Sequence, residues 1–133
     1  MIKKNELREG WIFLFEGKRI ALTNEQMLHF LALPGKRVPL YPLPLSVEVL
    51  IQGGFVRRGR YLDFYVFSRA GYMSLRYRVF NRGGGDYLGT GELNDGSCKA
   101  PRYFHHLQAL HTALLGKDWL VCRDVVRLVQ YTL

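Results

Sequence analysis

A chain of 133 residues that is 48% hydrophobic and 14% aromatic can bury a core without a disulfide or metal staple, which excludes a disordered protein. Its net charge of +8 points to an anionic partner, and its longest uncharged stretch, VPLYPLPLSV, is too short to span a bilayer. The composition therefore predicts a single domain without a membrane segment.

The N-terminus and the cysteines indicate a reducing compartment. MIKKNELREG is cationic, but no hydrophobic signal-peptide region follows it before the charged residues at 16–19. Cys98 and Cys122 do not form a C-x-x-C pair, and we expect them to be buried free thiols. These features predict a soluble, cytoplasmic protein.

The first elements are a hairpin and a capped helix. The stretch 10–23 has apolar runs on either side of EGKR, which predicts a short hairpin. Thr23 followed three places later by Gln26 is a capping box, which predicts a helix over 23–33. The predicted buried face of this helix consists of Met27, Leu28, Phe30 and Leu31.

A proline-rich connector and an ambiguous segment follow. Three prolines exclude a helix over 35–45, and we expect an extended connector there. Ser46 as a cap and the Gly-Gly stop after Gln52 favour a short helix over 46–53. The alternation from Val47 to Ile51 leaves a strand as the alternative. The side chains expected to pack the connector are Val38, Leu40, Tyr41 and Leu43.

From residue 55 onward the pattern is extended. FVRRGRYLDFYVF predicts two strands around a turn near Arg58-Gly59. YMSLRYRVF alternates between apolar and polar residues, which predicts a half-buried strand over 72–80. The glycine-rich stretch 81–97 predicts a turn, a short strand and a second turn. The strand's inward residues are Met73, Leu75, Tyr77 and Val79, and its outward residues are Ser74, Arg76 and Arg78.

The predicted last helix covers the sheet. Pro101 suits the first turn of a helix over 101–115, and Gly116 suits its C-terminal cap. The tail that follows is apolar, and we expect its last half to be extended. Together these elements predict an α+β fold in one domain, with an antiparallel sheet over 55–93 and two main helices. The predicted buried stripe of the last helix is Tyr103, Phe104, Leu107, Leu110, Leu114 and Leu115.

The sequence predicts no metal, cofactor or catalytic site. His105, His106 and His111 share one predicted helix, but their i, i+5 and i, i+6 spacings put them on different faces. The glycines between 83 and 91 match neither a P-loop nor a dinucleotide fingerprint, and we expect a flexible turn. The acids are scattered and no nucleophile motif occurs, which predicts a protein that is not an enzyme.

The positive charge is concentrated in one segment. Between residues 57 and 82, seven arginines and no lysine occur against one acid, Asp63. Arginine suits bidentate contacts with phosphate or carboxylate and stacking on planar groups. Three of these arginines lie in FVRRGRY, which we expect to be the protruding tip of a hairpin with Gly59 in its turn. The alternative is a solvated turn without a partner.

Three segments between residues 21 and 72 read, in chain order, LTNEQMLHFLAL, VEVLIQGGFVRRG and RYLDFYVFSRAG. In this order they resemble the first helix, the recognition helix with the first wing strand, and the return strand of small winged-helix DNA-binding proteins. The resemblance implies that the N-terminal half is winged-helix-like and that the arginines of FVRRGRY lie on the wing.

Two functions fit these features. The first is non-catalytic binding of nucleic acid, DNA or RNA, and single strands are the better ligand if residues 46–82 are all strand and line a curved sheet. The second is a protein-binding inhibitor or adaptor, of the kind that mobile elements encode, docking on an acidic protein surface. The candidate binding residues for either partner are Arg57, Arg58, Arg60, Tyr61, Tyr65, Arg69, Tyr72, Arg76, Arg78 and Arg82.

Overall fold

The computed structural model of the protein describes residues 1–68, 71–94 and 98–116. Arg69, Cys122 and the predicted extended tail lie outside these residues, as does most of the predicted turn at 94–96. The described strands are β1 (Ile2–Lys3), β2 (Ile12–Phe15), β3 (Lys18–Ala21), β4 (Arg37–Val38), β5 (Tyr41–Pro42), β6 (Val56–Arg58), β7 (Tyr61–Ser68), β8 (Gly71–Arg82), β9 (Gly85–Leu93) and β10 (Cys98–Lys99). The described helices are a 3-10 turn (Lys4–Glu6), α1 (Asn24–Leu31), α2 (Val47–Gln52) and α3 (Phe104–Leu115).

The N-terminal half contains two small antiparallel sheets and α1. The predicted hairpin at 10–23 is confirmed, because β2 pairs with β3 and also with β5, while β1 pairs with β4. The predicted capping box is confirmed as well: the Gln26 N–H donates to Thr23 Oγ1 at 3.1 Å, and the Thr23 N–H donates to Gln26 Oε1 at 3.0 Å. The core of this half consists of Ile2, Phe13, Leu22, Phe30, Val38 and Leu40.

Three residues of this half that were predicted to be buried are exposed. Leu28 and Leu31 are exposed, and α1 buries only the narrow stripe formed by Phe30 and the partly buried Met27. An eight-residue helix that packs one face on a small sheet buries a narrow stripe and leaves its other faces in solvent. Tyr41 in the connector is also exposed, because β5 is a two-residue strand at the edge of its sheet.

The predicted short helix after the connector is confirmed as α2. The Val49 N–H donates to Ser46 Oγ at 3.1 Å, which caps the helix N-terminus. Val49 and Leu50 are both buried in the core that α2 forms with α3 and strands β7–β9. In a strand, two adjacent side chains would point to opposite faces and would not both be buried there. The alternative that residues 46–82 are all strand is therefore wrong.

The larger sheet has five antiparallel strands in the order β10-β9-β8-β7-β6. The predicted alternation in β8 is confirmed, with every second side chain from Met73 to Val79 buried. These residues pack against α3 and α2, and together they confirm the α+β fold. No helix in the described part of the chain is long and apolar enough to cross a membrane.

The buried stripe of α3 differs from the prediction at its first residue. Phe104, Leu107 and Leu115 are buried, but Tyr103 is exposed because it is the N-cap residue and has an extended backbone. Leu110 and Leu114 are only partly buried. The helix also buries three polar side chains that the prediction left out: His105, Gln108 and His111.

Gln108 joins the two halves of the molecule. Its side-chain oxygen accepts from the Ile12 N–H at 2.8 Å, and its side-chain nitrogen donates to the Gly10 carbonyl at 3.1 Å. This pair of bonds fixes β2 against α3 in the core, where an unpaired amide would be costly. The N-terminal sheets are thereby held against α3.

The glycine-rich stretch is mostly strand and only its first part is a turn. Gly83 and Gly84 form the turn, whereas Gly89 and Gly91 lie within β9. A Cβ at Gly91 would lie 2.5 Å from the Tyr77 ring, and a Cβ at Gly89 would lie 2.5 Å from the Phe80 ring. These glycines therefore make room for aromatic rings of β8, and the expectation of a wholly flexible turn is corrected.

Candidate functional site

One face of the larger sheet points away from α3, and we call it the outer face. Because strand side chains alternate, the cross-strand pairing fixes its membership. Arg58 is opposite Tyr61, which is opposite Arg78. Further along, Asp63, Arg76 and Glu92 form a second row. The outer face consists of Val56, Arg58, Tyr61, Asp63, Tyr65, Tyr72, Ser74, Arg76, Arg78, Phe80, Arg82, Tyr87 and Glu92.

Arg76 is held in place on this face by its neighbours. Its guanidinium donates to both carboxylate oxygens of Asp63, at 2.8 and 3.1 Å, and lies 4.6 Å from the centre of the Tyr61 ring. The hydrogen bond and the charge of Asp63 raise the pKa of Arg76. These contacts fix the position of the Arg76 side chain, and the Asp63 carboxylate balances much of its positive charge.

Arg57 lies on the opposite side of the sheet from Arg58. Its cross-strand partner is the buried Leu62, and its guanidinium donates to the Asp86 carboxylate at 2.7 Å. The hydrogen bond and the charge of Asp86 raise the pKa of Arg57. The three arginines of FVRRGRY are thus not one cluster, because one of them is ion-paired on the other side.

Four arginines keep an uncompensated charge. Within residues 1–68, 71–94 and 98–116, no carboxylate forms an ion pair with Arg58, Arg60, Arg78 or Arg82. The guanidinium groups of Arg78 and Arg82 lie 4.8 and 5.8 Å from the centre of the Phe80 ring. All four lie where β6 and β7 meet and β8 ends, and we call this group the basic end of the sheet.

The expected protrusion of the β6–β7 turn is wrong. Its two loop residues are Gly59 and Arg60, and Gly59 has the positive φ of 60° that a tight turn requires. The Arg60 carbonyl accepts from the Val79 N–H at 2.7 Å, so the turn lies alongside β8. Because β8 continues to Arg82, the β8–β9 hairpin extends further than the β6–β7 hairpin.

Exposed aromatic rings lie beside the arginines. Tyr65 is 65% exposed, and its ring centre lies 6.5 Å from that of the exposed Tyr72. Tyr61 is also exposed. The sequence prediction missed Phe80 and Tyr87, which pair across β8 and β9 on the same face. Extending the alternation of β8 by one residue would have found Phe80, whereas Tyr87 depends on a register that the sequence does not give.

An open depression of about 630 Å³ lies in the middle of the outer face. Its charged lining residues are Arg58, Asp63, Arg76 and Glu92. Its exposed ring is Tyr65. The depression is therefore polar, aromatic and open, which suits a planar polar group better than an apolar ligand.

A second group of polar side chains lies at the start of α3. His105 Nε2 is 3.7 Å and His106 Nε2 is 3.6 Å from the same Glu6 oxygen, Oε1. Burial and the neighbouring His106 lower the pKa of His105 to about 4, so its ring is neutral near pH 7. The sequence prediction considered only the spacing of histidines within one helix. It could not identify Glu6 as their neighbour, because Glu6 lies about a hundred positions earlier in the chain.

Comparisons with known proteins assign no family to the chain. No family model matches the sequence, and no curated protein or solved structure matches it significantly. The resemblance to winged-helix proteins stays a prediction. A functional proposal therefore depends on the side chains of the two groups described above.

Proposed function

We propose that the protein binds nucleic acid without catalysis, that it uses the outer face, and that unpaired strands of DNA or RNA are its preferred ligand. The observation that carries this proposal is the alternation of exposed tyrosine rings and uncompensated guanidinium groups on one face of a sheet. Stacking of bases on aromatic side chains beside a basic track for the backbone is the general chemistry of single-strand binding.

The basic end would contact phosphates. Arg58 on β6 and Arg78 on β8 have one strand, β7, between them. The usual spacing between strands puts their backbones about 10 Å apart. Arg82 extends the positive track along β8. Each phosphate that these side chains neutralise releases counterions, so we expect an affinity that falls steeply with salt.

The tyrosines would stack on bases. Tyr61 and Tyr65 are four residues apart on β7, which is about 14 Å along a strand. Tyr72 lies beside Tyr65 on the neighbouring strand. The backbone of a bound strand would then run from the basic end towards this pair of rings, and stacking on each ring contributes about 1–3 kcal/mol.

A single strand fits these features better than a duplex. Rings that stand on a sheet face can stack only on bases that are not already paired and stacked. A winged-helix protein would instead present its recognition helix to the major groove. Here α2 covers that position in the sequence, but its six residues, VEVLIQ, contain no lysine or arginine.

Docking on an acidic protein surface is the second candidate function. The exposed Val56 and the carboxylates of Asp63 and Glu92 give the outer face a mixed character that also suits a protein interface. Acidic protein surfaces offer carboxylates to the same arginines but no planar bases to the tyrosines. The two functions therefore differ in what the tyrosines contribute.

The test is a comparison of ligands by fluorescence anisotropy. The probes are labelled single-stranded DNA and RNA of about 15 nucleotides, the corresponding DNA duplex, and polyglutamate, each at about 50 and 200 mM salt. We expect the single strands to bind more tightly than the duplex or polyglutamate at both salt concentrations. Preference for polyglutamate would favour the acidic-protein function, and preference for the duplex would contradict the proposed mode of binding.

A further inference from the structure

The start of α3 carries a group of metal-ligating side chains that the outer face does not use. Glu6 ends the 3-10 turn near the N-terminus, and His105 and His106 lie in the first turn of α3. One ligand atom from each residue can be chosen so that all three lie within 4.8 Å of one another. We propose that Glu6, His105 and His106 bind a divalent transition-metal ion, with Zn²⁺ as the best match.

Two of the three distances between ligand atoms are close to those around a tetrahedral ion. Zinc bonds to histidine nitrogen and carboxylate oxygen of about 2.0–2.1 Å place neighbouring ligand atoms about 3.3–3.4 Å apart in a tetrahedron. The two nitrogen–oxygen distances are 3.7 and 3.6 Å. Binding therefore requires each histidine nitrogen to move a few tenths of an ångström closer to the Glu6 oxygen, with all three ligand atoms already within 4.8 Å of one another. Two histidines and one carboxylate are also a ligand set that zinc and its neighbours in the first transition row accept.

His105 gives an independent indication of a missing partner. It is 1% exposed, and neither of its ring nitrogens has a hydrogen-bond partner among the described residues. Buried polar groups in proteins are nearly always paired, so such a ring calls for an explanation. The rings of Phe13 and Tyr103 lie 5.0 and 6.3 Å from it and hold its orientation. An ion between Nε2 and Glu6 would supply the absent partner of one of these nitrogens, Nε2.

The carboxylate is oriented for the same task. The backbone N–H of Lys3 donates to Glu6 Oε2 at 3.1 Å, which leaves Oε1 facing the two histidines. Such outer contacts commonly position metal ligands. The side chains of His106 and Glu6 are 48% and 35% exposed, so an ion can enter from solvent and keep a water as its fourth ligand. This proposal differs from the sequence-based expectation of no metal, which considered the histidines alone.

The experiment is a titration with Co²⁺ and Zn²⁺. The parent protein is the full chain with Cys98→Ser and Cys122→Ser, because thiols are alternative ligands for both ions. Equilibrium dialysis gives the stoichiometry, and the visible absorption of bound Co²⁺ reports tetrahedral coordination. The test variants are Glu6→Gln and His106→Gln, whose positions are not buried, and the matched controls are Glu9→Gln and His29→Gln at exposed positions. Circular dichroism without metal shows that each variant is folded.

We expect one ion per chain with tetrahedral Co²⁺ absorption, and a loss of affinity of more than about tenfold in each test variant. Both controls should bind like the parent. Zn²⁺ should also raise the melting temperature of the parent and not that of Glu6→Gln, since an ion that binds only the folded state stabilises it. Equal affinity in the test and control variants, or no stoichiometric binding by the parent, would overturn the proposal.

Discussion

The Arg57 guanidinium lies 2.7 Å from the Asp86 carboxylate, and this ion pair joins the β6–β7 hairpin to the β8–β9 hairpin. Arg57 is therefore engaged within the protein, while its neighbour Arg58 points to the outer face without a carboxylate partner among the described residues. Two adjacent arginines consequently have different roles, although the sequence presents them as equivalent.

This difference predicts unequal effects on binding. Arg58→Ala should weaken the binding of single-stranded DNA at low salt and reduce the salt slope by about 0.7, the value for one lost phosphate contact. Arg57→Ala should have a smaller effect on both quantities. Anisotropy titrations at several salt concentrations measure them. A larger loss for Arg57→Ala would show that the Asp86 pair does not keep Arg57 from the ligand.

Replacing the exposed tyrosines should weaken the binding of single-stranded DNA by the same factor at every salt concentration. The double variant Tyr65→Ala and Tyr72→Ala removes two stacking surfaces, each of which contributes about 1–3 kcal/mol per base. The salt slope should stay the same because no phosphate contact is lost. Tyr41→Ala, at an exposed position in β5, is the matched control and should bind normally. Normal binding by the double variant would exclude stacking on this pair.

The glycines of β9 should differ in their tolerance of a methyl group. A Cβ at Gly91 would lie 2.5 Å from the Tyr77 ring and 2.8 Å from the Ala100 Cβ, whereas at Gly85 the nearest atom is 3.7 Å away. Gly91→Ala should therefore lower the free energy of unfolding by about 1–3 kcal/mol, the usual cost of overpacking. Gly85→Ala should leave it nearly unchanged. Urea denaturation measures both, and equal stability of the two variants would show that the Tyr77 ring can move aside.

Two leucines of α3 should differ in their contribution to stability. Leu107 is fully buried, and Leu107→Ala should lower the free energy of unfolding by about 2–5 kcal/mol, because it leaves a cavity in the core. Leu110 is only partly buried, so Leu110→Ala should cost less. The same urea denaturation measures both. A greater loss at Leu110 would mean that α3 is rotated about its axis relative to the described packing.

Local sequence signals identified much of this fold, and the reasons are physical. The capping box of Thr23 and Gln26 pairs two backbone N–H groups at the start of α1 with side chains no more than three residues away. It can therefore be recognised in the sequence without any tertiary contact. The alternation of apolar and polar residues from Met73 to Val79 predicts that this segment is a strand, and it also predicts which side chains point into the core and which point outward. The predicted burial of Leu28 and Leu31 in α1 was wrong, because burial depends on which neighbours contact the helix.

The candidate sites were less predictable, because long-range pairing decides them. Arg57 and Asp86 are 29 residues apart, and nothing in FVRRGRY distinguishes the arginine that pairs from those that do not. Tyr87 joins the outer face only through its register with Phe80, which a bulge in β9 opposite Arg78 shifts by one residue. In the same way, His105 meets Glu6 only because the N-terminal segment packs on the start of α3.

The affinity of two charge-matched triple variants for single-stranded DNA tests the central claim most directly. The first carries Arg58→Ala, Arg78→Ala and Arg82→Ala on the outer face. The second carries Arg8→Ala, Lys18→Ala and Lys36→Ala at exposed positions elsewhere. Both lose three positive charges, so general attraction of a polyanion by net charge falls equally in both.

Binding through the outer face predicts that the first triple variant loses more than about tenfold in affinity at low salt, with a salt slope reduced by about 2 for three lost phosphate contacts. The second should stay within about twofold of the unaltered protein, because distant charges are screened. Equal losses in the two triple variants would contradict the account, since the binding would then depend on net charge and not on this face.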